Sequence, residues 1–314
     1  MTYLKAMLAV VLVALLTSSP AWARVIVAWG NDSDGQVSNA PAGADFVALS
    51  GGVVSSTALR ADGSLVGWGA DDEGQTSGTP AGTFTAIASG DKFNLALRSD
   101  GSIAGWGKNN LGQVSNVPAG NDFVGIAAGW DTGFALRDNG SLEAWGQDAW
   151  GGVSNVPAGN DFVAVAAGGG HAYAIKTDGT LVGWGRDANN QVGGIPAGTF
   201  VAVDGGAEHG LAIASDGSFA NWGRNAELTT LGGIDFVAIS SGNTFHNLAL
   251  RSDGTVEAWN NDSHGQSTVP ASVQGEFFAI AGGGYHSLGL VPEPATLGLL
   301  LVGGVVALLR RRRS

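Results

Sequence analysis

The sequence predicts an all-β protein, a seven-bladed β-propeller closed by pairing N- and C-terminal strands in one blade. Three observations predict it. Trp recurs seven times at spacings of 37–39 residues, at positions 29, 68, 106, 145, 184, 222 and 259. Each unit carries short apolar runs separated by Gly-rich or Asp-Gly turns, the pattern of small strands and hairpins. The chain begins and ends part-way through a unit, so its two ends can complete one blade.

The unit starting at Phe162 shows how the strands are predicted. The runs at 162–166, 172–176 and 181–184 are apolar or alternate with Gly, and Asp178-Gly179 forms the hairpin turn between the last two. A weak fourth strand is expected to begin at 191–192. Four short strands in about 38 residues, repeated radially, are typical of a propeller blade.

The closure of the ring follows from where the units are interrupted. Residues 25–29 read as a third strand, and residues 277–290 read as a first and second strand. Together they complete a seventh blade and leave no exposed sheet edge at which chains could aggregate. The single propeller domain is therefore expected to span residues 24–290.

The N-terminus is expected to lie outside the propeller. Residues 1–23 combine Lys5, an apolar run and small residues at 21 and 23. This arrangement is typical of a secretory signal peptide cleaved before Arg24.

The C-terminal residues 291–314 are expected to form a second segment outside the propeller. They contain a Pro-Glu-Pro motif (Pro292, Glu293 and Pro294), 15 apolar residues at 295–309, and four terminal arginines. We expect a short transmembrane segment with the arginines held in the cytoplasm. Because proline interrupts helices, the motif is expected to be a stiff, accessible stub.

This order of motif, short apolar helix and arginines resembles the PEP-CTERM sorting signal of Gram-negative bacteria. The resemblance implies an exosortase-type membrane protease as a partner, which removes the tail. It also implies transient anchoring, followed by delivery to the outer surface or an exopolysaccharide matrix. A permanent C-terminal anchor is the alternative.

The repeats also carry a family resemblance. The stretches 58–69, 96–107 and 212–223 have the pattern Ala-x-x-x-Asp-Gly-Ser-(Leu/Ile/Phe)-x-x-Trp-Gly, and Gly-Gln pairs follow several of the Trp residues. They resemble the regulator-of-chromosome-condensation repeat. Within that superfamily the rhythm is most similar to the secreted β-lactamase-inhibitory protein II, which implies inhibition of a hydrolase as one possible function.

Charge and composition exclude several classes of function. Residues 24–290 hold ten basic and 26 acidic residues, a net charge of −16, so a nucleic-acid partner is not expected. There is no Cys, no Gly-x-Ser-x-Gly and no phosphate-binding loop. We therefore predict a monomer that is not an enzyme and has no catalytic residue, cofactor or metal.

The candidate binding surface follows from strand alternation. The turns after first strands and the loops after third strands should share one face, which varies between blades. We call it the loop face. The Asp-Gly turns and Pro-Ala-Gly connectors should share the other, nearly invariant face, the Asp-Gly face. Its missing seventh turn marks where the termini meet, so the tail should leave from there and the loop face should point away from the membrane.

Exposed aromatic side chains on the loop face are the expected anchors for a partner. The candidate partner-binding residues are Trp130, Trp150, Leu111, Lys92, Phe93, Phe245, His264 and Tyr285. Four histidines recur at one repeat position (171, 209, 246 and 286) and are expected to bond turn backbone. Basic residues before the Asp-Gly turns, such as Arg60, are expected to pair with a nearby Asp.

The predicted function is that of an exported binding protein of the cell surface or exopolysaccharide matrix. Its partner would be an unidentified protein or polysaccharide on the loop face. The alternatives are an inhibitor of a secreted or periplasmic hydrolase and, third, a hydrolase with a site in the central channel.

Overall fold

The protein, in a computed structural model, is described over residues 23–224 and 231–293. These residues form 21 strands in seven three-stranded antiparallel sheets. The strands of blades 1 to 4 are β1 (Arg24–Gly30, which completes blade 7), β2 (Phe46–Gly51), β3 (Ser55–Arg60), β4 (Leu65–Gly69), β5 (Phe84–Ser89), β6 (Phe93–Arg98), β7 (Ile103–Gly107), β8 (Phe123–Ala128), β9 (Thr132–Arg137), β10 (Leu142–Gly146), β11 (Phe162–Ala167), β12 (His171–Lys176) and β13 (Leu181–Gly185). Those of blades 5 to 7 are β14 (Phe200–Gly205), β15 (His209–Ala214), β16 (Phe219–Gly223), β17 (Phe236–Ser241), β18 (His246–Arg251), β19 (Val256–Asn260), β20 (Ala279–Gly282) and β21 (His286–Pro292).

The sheets are arranged as the blades of a closed propeller. The first strand of each blade contacts the first strands of both neighbouring blades, and β20 contacts β2 to complete the circle. The first strands are therefore innermost. Seven clusters of buried side chains occur among the described residues, one at each junction between blades. The core is thus a ring of interfaces between sheets, and the repeat Phe and Trp residues fill it.

The last blade confirms the predicted closure. Its sheet has the order β1–β21–β20, and β1 pairs with β21 over seven residues, from Arg24 opposite Pro292 to Gly30 opposite His286. Two strands of this sheet come from the C-terminal part of the chain and one comes from the N-terminal part, so the chain completes the blade by itself.

Two boundaries differ from the sequence prediction. Strand β21 continues to Pro292, so the propeller extends past residue 290, and Val291 and Pro292 are buried. The backbone N–H of Glu293 also donates to the Ala23 carbonyl at 2.8 Å. Pro292, the first residue of the Pro-Glu-Pro motif, is therefore not part of an accessible stub but the last residue of a central strand. Proline has no backbone N–H, and the strand tolerates it here because the last residue pair does not require that donor.

The predicted fourth strand is absent from the described part of the chain. After β1, β4, β7, β10, β13 and β19 the chain makes consecutive turns instead, and the loop after β16 lies outside the described residues from position 225 to 230. In the loop after β13, Asp187 Oδ1 accepts the N–H groups of Val192 and Gly193, and Gln191 Oε1 accepts that of Asn189. Side-chain oxygens thus satisfy the backbone donors that a fourth strand would have paired, a known competitor of sheet structure.

Several terminal predictions fall outside the described residues. These are residues 1–22 of the signal peptide predicted over 1–23, the segment at 295–309, Pro294 and the terminal arginines. Over residues 23–224 and 231–293, no helix has the length and apolar character needed to span a bilayer.

Candidate functional site

Contacts between loops confirm that the loop face exists as predicted. Lys92, in the turn after β5, lies 2.5 Å from Asp72 in the loop after β4. Lys108, after β7, lies 3.2 Å from Asp91 and 2.9 Å from Asp131, which belong to turns after first strands. Turns after first strands and loops after third strands therefore meet on one face.

The loops of this face are fixed to the core by the repeat tryptophans. The indole N–H of the Trp in one blade donates to a loop carbonyl of the preceding blade, at 2.8–3.0 Å, in the pairs Trp29–Gln266, Trp68–Gln36, Trp106–Gln75, Trp145–Gln113, Trp184–Gly152 and Trp222–Gln191. Trp259 differs: it is only half-buried, and its indole N–H has no partner among the described residues. The Gly-Gln pairs of the sequence are thus structural anchors for the loops.

The four equivalent histidines bridge successive blades. His171 Nε2 lies 3.2 Å from the His209 carbonyl, as predicted for a backbone partner. The other three instead reach side chains of the next blade: His209 to Asn247 at 2.6 Å, His246 to Ser287 at 3.0 Å and His286 to Ser56 at 2.7 Å. The prediction of backbone partners is wrong for His209 and His286, whereas His246 also bonds the His286 backbone. Side-chain partners arise because the residue after the histidine position carries a polar side chain in blades 6, 7 and 1.

Burial keeps these imidazoles neutral. It lowers the pKa of His171 and His246 to about 3 and that of His286 to about 4, and it also lowers the pKa of His209. No group of three or more His, Cys, Asp or Glu residues in the described ranges is placed to hold a metal ion. The histidines serve as connections between blades.

Trp130 and Trp150 come together as the sequence predicted. A Cβ atom on Gly169 would lie 2.7 Å from Trp130 Cε2, and one on Gly170 would lie 2.8 Å from Trp150 Cε3. The two indoles therefore rest on consecutive residues of one turn in blade 4. Trp150 is 43% exposed and Trp130 is half-buried. The Gly-Gly-Gly sequence at 168–170 leaves room for both rings.

The other candidates from blade 2 have different environments. Leu111 is 41% exposed. The Lys92 ammonium is committed to Asp72, and the hydrogen bond between them raises the pKa of Lys92. Phe93 is 1% exposed, so its prediction as a contact residue is wrong. It begins β6 at the position that histidine occupies in blades 4 to 7, and its ring packs against Gly90 inside the propeller.

Phe245, His264 and Tyr285 form a separate group. The rings of His264 and Tyr285 are 5.0 Å apart, and both residues are exposed. Phe245 has a φ of 73° and stacks against His209 with ring centroids 6.5 Å apart. This group lies on blades 6 and 7, while Trp130 and Trp150 lie at the junction of blades 3 and 4. The eight candidates therefore do not form one surface.

A chain of contacts that the sequence analysis missed links the two groups. The Arg186 guanidinium lies 5.5 Å from the centroid of Trp150, and its NH1 is 2.8 Å from Glu208. Arg224 NH1 is 2.6 Å from the same carboxylate, and its guanidinium lies 4.9 Å from the Phe245 ring. The signal was present in the sequence, since Trp-Gly-Arg occurs only in the consecutive blades 4 and 5.

Glu208 remains ionised between these two arginines. Burial alone would raise its pKa, but the hydrogen bond from Arg224 and the two positive charges outweigh this effect, and the pKa lies below its ordinary value. We call Trp130, Trp150, Arg186, Glu208, Arg224 and Phe245 the aromatic–arginine strip. It crosses the loop face from blade 3 to blade 6.

Asp204 is the carboxyl to consider for the predicted alternative of a hydrolase site in the central channel. It lies on the innermost strand β14, and burial raises its pKa to about 7. Its two oxygens accept the N–H groups of Gly205 and Ser241 at 2.9 and 2.7 Å. Ser50 and Ser240, at the same repeat position, accept equivalent N–H groups of the next blade. Asp204 therefore joins blades 5 and 6.

On the Asp-Gly face, basic residues pair with a nearby Asp, as predicted. Arg60, Arg137 and Arg251 bond Asp45, Asp122 and Asp235, which precede the first strand of the same blade, rather than the Asp of the turn. Each guanidinium also lies over the repeat Phe of that blade. These residues stabilise the connectors and leave the binding candidates to the loop face.

The fold defines the chain as a seven-bladed β-propeller. The sequence profile of the regulator of chromosome condensation (RCC1) repeat matches residues 84–113 and 162–191, each running from a first strand into a Gln-bearing loop. None of the curated proteins compared matches the sequence.

Solved structures with the same fold agree. Prp20p from Saccharomyces cerevisiae is similar with a TM-score of 0.74 at 17% identity, over 87% of this chain and 92% of that chain. Human WBSCR16 is similar with a TM-score of 0.70 at 15% identity, over 87% and 100% of the two chains. The ectodomain of the Physcomitrella patens receptor kinase CR4 gives 0.63 at 24% identity, over 74% and 65%. Together these findings support an RCC1-type repeat β-propeller.

Proposed function

We propose that this protein is a non-enzymatic binding protein that holds its partner on the loop face around Trp130 and Trp150. The observation that carries the proposal is the placement of both indoles on the Gly169–Gly170 turn, with Trp150 43% exposed. Large exposed aromatic side chains on a rigid scaffold are typical anchors of an interface. The similar yeast protein Prp20p is described by its binding to Gsp1p and histones, which supports a binding role for such a propeller.

The non-enzymatic part of the proposal is supported by Asp204. A carboxyl with a raised pKa on an innermost strand is a candidate general acid or base. Both of its oxygens are already occupied by backbone N–H groups, and serines perform the same role in other blades. A structural role therefore accounts for it.

The cellular location of the protein is also part of the proposal. Export, exosortase-type processing of the tail, and a final position at the cell surface or in an exopolysaccharide matrix rest on the two terminal segments. Because β21 runs from the loop face toward the Asp-Gly face, Glu293 leaves the propeller on the Asp-Gly side. A tail that anchors the protein from there would direct the loop face away from the membrane.

The test compares capture by matched variants. The immobilised full chain, the Trp130→Ala/Trp150→Ala variant and a Val201→Ala/Val237→Ala control are exposed to the envelope fraction of the source organism. Val201 and Val237 are 44% and 40% exposed and are the second residues of innermost strands β14 and β17, at the Asp-Gly end. We expect one component to be retained by the full chain and the control and lost by the tryptophan variant. Equal capture by all three would refute the site.

An inhibitor of a secreted or periplasmic hydrolase is the second candidate. The tryptophans and arginines of the strip are the residue types that dominate the affinity of protein interfaces. This function predicts saturable inhibition of one purified hydrolase, with loss of inhibition in the tryptophan variant.

A further inference from the structure

The aromatic–arginine strip has a charge balance unlike the rest of the loop face. Two guanidiniums, Arg186 and Arg224, share the single carboxylate of Glu208. Elsewhere on this face, Lys92 is matched by Asp72, and Lys108 faces two carboxylates. Among the described residues, the centre of the strip is therefore the place on the loop face where bonded cations outnumber the carboxylates that hold them.

The excess charge is accessible. The side chain of Arg224 is 52% exposed, while that of Glu208 is 10% exposed beneath it. Only NH1 of Arg224 is engaged with Glu208. A guanidinium carries five N–H donors in a fixed plane, so Arg224 retains donors for a second carboxylate.

The order of groups along the strip indicates the shape of its ligand. Flat rings lie at both ends, Trp130 and Trp150 at one and Phe245 at the other, and the guanidiniums lie between them. Protein interfaces gather their aromatic and arginine anchors in one central patch surrounded by a polar rim, whereas here the rings and guanidiniums follow one another along the strip. An extended polymer with alternating apolar ring faces and carboxylates fits this strip better than a folded protein surface does.

We propose that the strip, through its local excess of positive charge within a propeller of net charge −16, binds an anionic saccharide chain whose sugar rings carry carboxylates, a polyuronate, and this rests on the proposed binding function of the loop face. The apolar C–H face of one sugar packs on the Trp150 indole, which excludes water from both surfaces. The carboxylate of a neighbouring sugar accepts hydrogen bonds from Arg224. Glu208 holds both guanidiniums in place, so little side-chain freedom is lost when the chain binds.

The experiment measures binding of the full chain to three polymers by titration calorimetry at constant ionic strength. Polygalacturonate supplies ring and carboxylate, amylose supplies the ring alone, and poly-L-glutamate supplies the carboxylate alone on a peptide. We expect polygalacturonate to bind at least ~10-fold more tightly than either comparator, since loss of a charge-assisted hydrogen bond or of a ring contact each weakens binding on that order. Equal or tighter binding of poly-L-glutamate would assign the strip to acidic proteins and overturn the proposal, as would equal binding of amylose or no binding of polygalacturonate.

Matched variants locate the binding. Trp150→Ala and Arg224→Gln should each weaken polygalacturonate binding about 10-fold. Arg98→Gln and Val201→Ala are the controls, because Arg98 also lies over a Phe ring and Val201 is as exposed as Trp150, yet both lie at the Asp-Gly end. Unchanged circular dichroism and urea midpoint exclude misfolding as the cause. Equal loss in the controls would place binding outside the strip and refute the proposal.

The two proposals can fail separately. If polygalacturonate does not bind but envelope capture still depends on Trp130 and Trp150, the binding function stands and the polyuronate is wrong. If capture is also independent of both tryptophans, both proposals are wrong.

Discussion

The indole N–H of Trp29 donates to the carbonyl of Gln266 at 2.9 Å, across 237 residues of sequence. The same bond joins Trp68 to Gln36 and recurs around the ring. The Trp29–Gln266 bond shows that this repeated contact is also present in the blade that contains both termini. The closing blade is therefore attached to its neighbour by the same interaction as the blades formed from continuous sequence.

Removing one of these indole donors should destabilise the propeller. Trp68→Phe keeps an aromatic ring but leaves the buried Gln36 carbonyl without this donor, and should lower the free energy of unfolding by about 1–2 kcal/mol beyond the effect of ring size. Trp259→Phe is the control for ring size, because its indole N–H has no partner among the described residues. Urea unfolding followed by circular dichroism measures both. Equal losses would show that the indole bond contributes nothing.

Acid should destabilise the protein through the buried histidines. Their pKa values lie below that of an unfolded histidine, about 6.5, so the unfolded chain binds more protons as pH falls below that value. The stability they contribute is complete above about pH 6.5 and is lost on acidification toward pH 4, at up to about 1.4 kcal/mol per pH unit for each imidazole. Asp204, with its raised pKa, offsets one of the four in this range.

A single histidine variant tests this linkage. His246→Gln removes one buried titrating group and keeps a side-chain amide near Ser287, so the slope of unfolding free energy against pH should fall by about one proton. Trp68→Phe, which destabilises the propeller without removing a titrating group, should keep the wild-type slope. Urea midpoints between pH 4.5 and 7.5 give the slopes. A wild-type slope in His246→Gln would contradict the assignment.

Asp204→Asn should have the opposite dependence on pH. Because burial raises the folded pKa to about 7, ionising Asp204 costs stability as pH rises from about 4 to 7, and the cost stays constant above that. The uncharged amide avoids this cost and can still accept the Ser241 N–H, while loss of the Gly205 bond lowers stability equally at every pH. The variant should therefore gain stability relative to wild type by up to about 1.4 kcal/mol per pH unit up to pH 7. Parallel urea midpoints at pH 5, 6, 7 and 8.5 measure this, and a constant difference would refute it.

The glycine turn beneath the tryptophans should not accept a side chain. Gly169→Ala places a Cβ 2.5 Å from the Ala207 carbonyl oxygen and 2.7 Å from Trp130 Cε2, so the turn and the ring must both shift, at a cost of about 1–3 kcal/mol and with a changed tryptophan emission maximum. Gly232→Ala is the control, since its Cβ meets no described atom within 4 Å. An unchanged spectrum and stability in Gly169→Ala would show that Trp130 does not rest on this turn.

Much of the architecture could be predicted because each repeat encodes it locally. Apolar runs, Asp-Gly turns and interrupted end units predicted the three main strands, the number of blades and the terminal pairing. The fourth strand was wrong because the side chains of Asp187 and Gln191 satisfy the loop backbone, and an apolar run does not reveal such bonds. Phe93 was wrong because a loop-adjacent aromatic can point either inward or outward, and β6 directs it inward.

The sequence by itself determined the repeat, the ring closure and the proximity of Trp130 and Trp150, since strand alternation and repeat register fix which turns share a face. The tertiary structure decided which exposed side chains contact one another to form a continuous surface. It separated His264 and Tyr285 from the tryptophans and joined Arg186 to Arg224 through Glu208. The physical reason is that contacts between blades depend on side-chain direction and charge across junctions, where residues distant in sequence meet.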